Sequence, residues 1–521
     1  MSESPPEKNG STSPGLLKSS VLVGIMTMFS RVLGLVRDIV IAGYFGSTAS
    51  ADAFFVAFKI PNFLRRLFAE GAFSQAFVPV LSQYRTQRSF DEVRLLVSRV
   101  SGTLAGTLLM VTVLCMLLSP WLISLFAPGF HSDPYKLALA GGMLRITFPY
   151  LLLISLTGLA GAVLNSYGRF ATPAFTPVLL NLSLIGATLY LTPWFSDPVI
   201  ALAWAVVIAG IAQLLLQLPF LWHIRLLPAP RWDPKHEGVR QIMKLMVPAL
   251  FGVSVSQINL LLDTVLASFL QTGSVSWLYY SDRLSELPLG VFGIAIATVI
   301  LPSLSRGHAG DNEGQFSQTL DWALRLVLLI GLPASVALFI LAEPLIATLF
   351  HYGEMTDKDV VMSAISLRAY ALGLVAFMLI KVLAPGYFAR QDMKTPVKIA
   401  IKAMVANMVF NVILVFPLAH AGLALATALS AFLNAGLLYW GLRKTQIFKP
   451  LKGWWRYGVQ LLLANAAMAG ILIALKGEVS DWLTASLSER IMDTGIVVVS
   501  GMVVYAFALV ITGVRPSQFK Q

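Results

Sequence analysis

Long apolar runs recur along most of this chain, and they constrain its fold more than any other feature. A run of roughly 18 or more apolar residues can cross a bilayer as an α-helix, and only helices and closed barrels satisfy their backbone hydrogen bonds there. The composition agrees, because 57% of the residues are hydrophobic and 12% are charged. A soluble domain carries about twice that charged share. We therefore predict an all-α polytopic membrane protein.

The runs predict fourteen transmembrane helices after a polar, disordered tail over residues 1–16. The predicted spans are 17–44, 51–82, 96–126, 136–165, 173–193, 199–223, 239–270, 274–304, 318–349, 360–389, 396–417, 420–442, 456–475 and 491–513. In the second span, Pro61 and Gly71 are expected to break the helix into shorter pieces. Cys115 is the only cysteine, which excludes an intrachain disulfide and a cysteine metal cluster.

The distribution of basic residues predicts the orientation. Alternate connections, such as GSTASA and QTGS, are short and carry no basic residue. The other connections hold Arg85, Arg88, Arg94, Arg99, Arg225, Arg231, Lys235, Arg240, Arg390, Lys394, Arg443, Lys444, Lys449 and Lys452. By the positive-inside rule, the basic connections and both termini are cytoplasmic, and this bias explains most of the net charge of +12 without nucleic acid.

Two halves of the chain echo each other at a nearly constant offset. Pro79 and Pro302 are 223 residues apart in similar surroundings, and the pairs Thr172–Pro173 and Thr395–Pro396 repeat that offset. Because the offset covers six helices, the halves are parallel repeats, an arrangement that suits alternating access. The predicted domains are an N-lobe at 17–223, a cytoplasmic linker at 224–238, a C-lobe at 239–445, and two additional helices with a short tail at 446–521.

The stretch from Ser30 to Ser82 is apolar enough for two membrane helices, yet it carries eight charges. These are Arg31, Arg37, Asp38, Asp52, Lys59, Arg65, Arg66 and Glu70. Each charge at the bilayer centre costs about 3 kcal/mol on the insertion scale, so eight approach about 24 kcal/mol, above the roughly 5–15 kcal/mol that stabilises a fold. The charges must therefore face one another or a wet cavity, which is the candidate site.

The matching part of the second half adds further polar residues, and arginine dominates the cations. The added residues are Ser276, Asp282, Arg283 and Glu286. Guanidinium binds phosphate bidentately and stays charged, so the cavity suits a phosphate or pyrophosphate head group. We expect Arg31, Arg65 and Arg283 to face the substrate. Asp38, Glu70, Asp282 and Glu286 could equally neutralise arginines in structural ion pairs. For Arg66, a structural pair with Glu70 is the favoured interpretation.

Asp263 is the only acid in the seventh span, and a proton or Na⁺ bound there could couple transport to a gradient. A purely structural hydrogen bond to an adjacent helix is the competing interpretation. The sequence has no phosphate-loop motif, no HExxH and no Cys–His cluster. We therefore expect no cofactor and no metal centre, and we predict a transporter driven by a gradient or the membrane potential, not an enzyme.

Several segments resemble the MurJ (MviN) family of bacterial lipid II flippases. They are MTMFSRVLGLVRD, ADAFFVAFKIPNFLRRLFAEGAFSQAFVP, GSVSWLYYSDRLSELPLGVFGIAIATVILPSLS and QDMKTPVKIA. That family belongs to the multidrug, oligosaccharidyl-lipid and polysaccharide exporter superfamily. The resemblance implies a two-lobed, fourteen-helix fold with a central cationic cavity. It also implies export of lipid II, the undecaprenyl-pyrophosphate-linked precursor of peptidoglycan. We expect a monomer in the bacterial cytoplasmic (inner) membrane.

The resemblance also implies residue roles. The family's cavity arginines correspond to Arg31, Arg37, Arg65 and Arg283, and its acidic partners to Asp38, Asp52, Glu70, Asp282 and Glu286. Spans 13 and 14 would form a groove for the lipid tail. The alternatives are a flippase for another polyprenyl-linked oligosaccharide, a drug exporter of the same superfamily, a membrane scaffold, or a lipid-linked glycosyltransferase.

The topology prediction is tested by cysteine labelling in intact cells, with Cys115 replaced beforehand. A cysteine introduced at Ser47 should react with an impermeant reagent added outside, whereas one at Thr86 should react after permeabilisation. Labelling from outside at position 86 but not at position 47 would reverse the predicted orientation.

Overall fold

The computed structural model describes residues 14–309 and 313–514. For residues 14–21, 68–71, 251–253, 255–256, 292–309 and 313 it describes the backbone alone. Throughout these ranges the regular secondary structure is helical, without a strand. The predicted all-α class is therefore confirmed.

Eighteen α-helices follow one another in the described part of the chain, joined by short connections. They are α1 Pro14–Phe45, α2 Ala49–Leu64, α3 Ser74–Gln87, α4 Phe90–Leu117, α5 Ser119–Phe126, α6 Pro134–Thr147, α7 Pro149–Ser166, α8 Ala171–Tyr190, α9 Ile200–His223, α10 Glu237–Ser268, α11 Ser274–Ala309, α12 Glu313–Ile340, α13 Ala342–Phe350, α14 Asp357–Phe388, α15 Lys394–Lys444, α16 Trp454–Leu475, α17 Val479–Thr484 and α18 Leu487–Thr512.

Nine helical segments of the described chain are long and apolar enough to cross a membrane. Eight of them match one predicted span each, and α15 matches two, because it kinks at Ala419 (φ 48°, ψ −129°) just after Pro417. The four remaining predicted spans fall on α1, on α2 with α3, on α10 and on α11, where the charged residues lie. The polytopic character is confirmed, and the count of fourteen remains a prediction that this arrangement accommodates.

The predicted break in the second span occurs as a π-helical segment. Helix α2 continues past Pro61 to Leu64, the backbone is π-helical over Arg65–Phe73, and α3 then begins at Ser74. Short π segments within α-helices are frequent at functional sites. The regular helical spacing that relates Asp52 to Lys59 therefore does not extend beyond Leu64.

The chain divides into two compact units, each built from separate pieces of sequence. The first unit holds the described residues up to Arg37 with Pro61–Met116 and Ile146–Leu250. The second holds Asp38–Ile60, Leu117–Arg145 and the described residues from 251 onwards. These limits do not follow the internal repeat, so the N-lobe and C-lobe boundaries remain a prediction.

In the first unit, the predicted linker is an ordered segment packed along α4. The backbone N–H of Arg231 donates to the carbonyl of Ser98 (3.1 Å), and Arg99 forms an ion pair with Asp233. A Cβ on Gly102 would overlap the backbone of Arg231, so glycine is required for this close approach. The linker is therefore held against α4 by specific contacts.

In the second unit, α14 packs against α11, α12 and α15, while α16 and α18 pack on each other and on α12. Asp321 of α12 ties the start of α16 in place. Its carboxylate is fully buried and accepts bonds from the Trp454 indole N–H (2.7 Å), the Leu451 backbone N–H (3.0 Å) and Arg325 Nε (2.7 Å). The start of α16 is thus anchored by a satisfied buried acid.

Arg490, at the start of α18, is a buried cation held by backbone carbonyls. Its side chain is 5% exposed and donates to the carbonyl oxygens of Ala347 (3.2 Å), His351 (2.9 Å) and Leu483 (2.8 Å). The first two carbonyls belong to the C-terminal end of α13, where a positive charge is favourable. Arg490 therefore joins α13, α17 and α18.

We expect Arg490→Leu to lower the free energy of unfolding by about 2–4 kcal/mol, because three buried carbonyls lose their donor. Thermal and denaturant unfolding of the purified protein in mild detergent measures the change. Arg456→Gln, at an exposed arginine of α16, is the matched control and should stay within about 0.5 kcal/mol of the parent. Equal effects of the two substitutions would contradict the assignment.

Candidate functional site

Two of the predicted arginines lie on α1 in the first unit, and their surroundings differ. Arg31 is half-buried and, within the described residues, makes no hydrogen bond or ion pair. Arg37 is 6% exposed, and its Nη1 donates to Oδ1 of Asn181 on α8 (3.0 Å). The Asn181 amide in turn donates to the carbonyl of Ser30 (3.0 Å). A neutral partner, Asn181, therefore helps to position Arg37, which also has interactions of its own. Within the described residues, nothing occupies the Arg31 guanidinium.

Arg65 begins the π segment and binds a neighbour on its own chain segment. Its Nε and Nη2 both donate to Asn62 Oδ1, at 2.9 and 2.7 Å. A carboxamide is neutral, so this bidentate contact orients the guanidinium without cancelling its charge. Arg66 is half-buried and has interactions of its own, and the side chain of its predicted partner Glu70 lies outside the described residues.

In the second unit, Arg283 of α11 is the centre of a charged cluster. Its Nε lies 3.1 Å from Asp38 Oδ2, and its Nη1 lies 3.1 Å from Glu286 Oε2. The hydroxyl of Tyr279 donates to Asp38 Oδ1 (2.9 Å) and accepts from Arg283 Nη2 (3.4 Å). The Tyr279 ring also stacks on Phe55, with centroids 4.1 Å apart. The structure therefore brings two predicted acids, Asp38 of α1 and Glu286 of α11, to the guanidinium of Arg283.

Asp52 and Ser276, both predicted near the charged site, meet at the start of α11. The Asp52 carboxylate is 1% exposed and accepts from the backbone N–H groups of Gly273 (2.7 Å) and Ser276 (3.0 Å), and from the Ser276 hydroxyl (2.7 Å). Lys136 Nζ lies 3.5 Å from the same carboxylate. An anion at a helix N-terminus is favourable, so Asp52 caps α11 and fixes α2 to it.

A second polar network lies around Asp263 of α10. Asn411 Nδ2 donates to Asp263 Oδ1 (2.8 Å) and to Asn407 Oδ1 (2.9 Å), and the Asn407 amide reaches Thr427 Oγ1 (3.5 Å). Both asparagines are almost fully buried, and Asn411 Oδ1 has no hydrogen-bond partner in the described part of the chain. Oxygen atoms of this kind suit a proton or a hard monovalent cation.

Lys59 and Tyr370 lie within electrostatic range of several of the predicted acids. Lys59 of α2 acts electrostatically on the Asp263 carboxylate, although the sequence placed these residues in different groups. Tyr370 of α14 lies within electrostatic range of Asp263, Asp282 and Glu286. Asp282 is half-buried and has interactions of its own. The acidic residues of α11 and the Asp263 network therefore influence a common neighbour.

Several of these functional contacts were not anticipated from the sequence. Tyr279 lies one helical turn before Arg283, a spacing that could have suggested it. Asn181, Lys136, Asn411 and Tyr370 are far in sequence from their partners, so no local pattern reveals them. No group of three or more His, Cys, Asp or Glu side chains that could hold a metal occurs among the described residues. The arrangement is suited to binding anions and to holding a proton or cation.

Comparisons with known proteins cover nearly the whole chain. The family model described as "Lipid II flippase MurJ" matches residues 41–492. A probable lipid II flippase MurJ of Vibrio cholerae is 49% identical over 97% of this chain and 98% of its own length. A lipid II flippase MurJ of Burkholderia cenocepacia is 45% identical over 88% of this chain and 89% of its own.

Solved structures show a related architecture. A lipid II flippase MurJ in an inward closed conformation superposes with a TM-score of 0.79 at 28% identity, covering 94% of this chain and 98% of that one. An inward-facing MATE multidrug transporter of the MOP superfamily has a TM-score of 0.68 at 16% identity, over 82% of this chain and 98% of its own. The second similarity shows the fold alone. On the family match and the identity to its relatives, the chain belongs to the lipid II flippase MurJ family, whose members are multi-pass membrane transporters.

Proposed function

We propose that this chain flips lipid II from the inner to the outer leaflet of the bacterial cytoplasmic membrane by alternating access, and so supplies peptidoglycan synthesis. The observation that carries the proposal is the 49% identity to a named flippase over 97% of the chain. As a transporter the chain would catalyse no covalent reaction. On the basis of the loop charges, we also propose that both termini lie in the cytoplasm. We further propose that the chain acts as a monomer.

Arg31, Arg37, Arg65 and Arg283 would bind the pyrophosphate head group. A half-buried guanidinium that has no partner is costly, and Arg31 is in that position within the described residues. An anion would repay the cost. Arg37 and Arg65 are held by carboxamides that keep them oriented for the same purpose.

Arg283 would take part in a different way, since two acids already engage it. A pyrophosphate binding there has to compete with Glu286, which is more exposed than Asp38. Exchange of Glu286 for phosphate would change the contacts of α11 while Asp38 keeps Nε. A ligand shifts a conformational equilibrium only through contacts that differ between the two states, and this exchange supplies such a difference.

We further propose that Asp263 couples flipping to a proton or cation gradient. Its carboxylate is held by Asn411 and acted on by Lys59. A bound cation would compete with the Lys59 ammonium for Asp263, so occupancy of the site would alter the position of α2. The partners implied are therefore lipid II, membrane lipids and a coupling ion.

Replacing Arg31, Arg65 or Arg283 singly by alanine should abolish flipping in liposomes, with lipid II scored by a probe added outside. Lysine should restore part of the activity, because it keeps the charge and loses the planar fork. Arg31→Ala should leave stability unchanged or raise it slightly, because a costly guanidinium is removed. Arg283→Ala should cost about 2 kcal/mol, because buried Asp38 loses the cation 3.1 Å away.

The same liposomes loaded with undecaprenyl phosphate, another polyprenyl-linked oligosaccharide or a drug panel separate the alternative functions. Transport of one of these in preference to lipid II would replace the proposed substrate. If the alanine variants of the three arginines fold and flip lipid II normally, the head group must bind at a different site.

Asp263→Asn should slow flipping under an applied gradient while lipid II still binds, because the amide cannot hold a proton or balance a cation. Binding is measured on the purified variant and flipping in the liposome assay. Asn411→Asp restores a carboxylate to the network and should return part of the gradient response in the double variant. Wild-type flipping by Asp263→Asn under the gradient would rule out the coupling role.

A further inference from the structure

A polar cavity of about 450 Å³ lies inside the first unit, between α3, α7, α8 and α9. Its volume is within the range of small-ligand sites. The polar residues that line it include Ser74, Thr157, Asn165, Thr176 and Gln217. None of the residues lining it is ionisable. The cavity is therefore built for an uncharged, polar group.

Gln217 of α9 gives this cavity a buried hydrogen-bond acceptor. Its side chain is 1% exposed, and its Oε1 has no hydrogen-bond partner among the described residues. Gln217 and Gly161 both line the cavity, and that oxygen would lie 3.7 Å from a Cβ on Gly161. Buried acceptors in native proteins almost always find a donor. The missing donor is a hydroxyl or an amide N–H, because the acceptor and its surroundings are neutral.

The position of the cavity relative to Arg65 suggests which molecule supplies the donor. Ser74 starts α3 nine residues after Arg65, and both α3 and the π segment between them pack on α7. At no more than about 1.5 Å of rise per residue, the two positions are at most about 14 Å apart along the helix axis. A pyrophosphate at Arg65 could thus carry its attached sugar or peptide into the cavity.

We propose that this cavity is a subsite for an uncharged, polar portion of the lipid II head group, either sugar or amide, with Gln217 Oε1 accepting one of its O–H or N–H groups. The proposal rests on the proposed function and adds a recognition element that arginines cannot provide. Arginine recognises the pyrophosphate, which all undecaprenyl pyrophosphates share, whereas the cavity would recognise what is attached to it.

The test compares binding of lipid II with binding of undecaprenyl pyrophosphate to the full-length purified chain. Gln217→Leu keeps the side-chain size and removes the acceptor. We expect it to weaken lipid II binding about three- to tenfold, as for one lost hydrogen bond, and to leave undecaprenyl pyrophosphate binding within about twofold. Forms of lipid II lacking the peptide or the second sugar identify the group, since the form that lacks the donor should bind equally to both proteins.

Gln213→Leu is the matched control. Gln213 lies one turn earlier on α9, is 2% exposed and donates to the Thr176 carbonyl (2.8 Å), but it does not line the cavity. It should lower stability without changing the ratio of the two affinities. Asn165→Leu, at the exposed edge of the cavity, should move the ratio in the same direction as Gln217→Leu and does not depend on a buried substitution folding.

Three results would overturn the subsite: an unchanged ratio in both cavity variants, an equal loss for the two ligands, or wild-type protein that binds lipid II no more tightly than undecaprenyl pyrophosphate. In the first case the carboxamide serves a water-filled void. If instead the folded wild-type chain binds neither ligand, the proposed function itself fails, which is a separate outcome.

Discussion

The cost of placing an ion in apolar surroundings governs the contacts of the buried charges that the structure describes. The structure meets that cost in three ways. Asp52 accepts hydrogen bonds from the N–H groups at the N-terminus of a helix. Arg490 donates to carbonyl oxygens at the C-terminal end of another helix. Asp321 accepts from an indole, a backbone N–H and an arginine. In each case the satisfied charge also joins elements far apart in sequence. The polar interactions that offset the desolvation cost of these ions therefore also specify how the helices pack.

The candidate site follows the same physics with one difference. Arg283 shares its charge with Asp38 and Glu286, but Arg31 has no such partner within the described chain. A protein can hold such a group ready for an anion that arrives and leaves. Tyr370 is a common electrostatic neighbour of Asp263 and of the acids that lie near Arg283.

The fold class was predictable because the length and polarity of a bilayer leave few choices. Runs of apolar residues identified most spans, and Pro417 marked the division within α15. The charged candidate residues could be identified from the sequence because a charge in an apolar span is costly. Their hydrogen-bond partners could not be identified in this way. Asn181 lies 144 residues from Arg37, and Asn411 lies 148 residues from Asp263, so neither spacing nor composition connects them. Helical periodicity also misses the π segment, because it assumes one constant turn angle.

That π segment has a consequence for how the protein tolerates change in length. In a π-helix each residue turns through less than the 100° of an α-helix. The side chains of α3 therefore point in directions different from those that an unbroken continuation of α2 would give them. Ser74 and Val78 meet the cavity because of that difference in direction. Deleting or inserting one residue between Arg65 and Phe73 would rotate α3 by an angle somewhat below the 100° per residue of an α-helix. Homologous chains should therefore vary this stretch by substitution far more readily than by length.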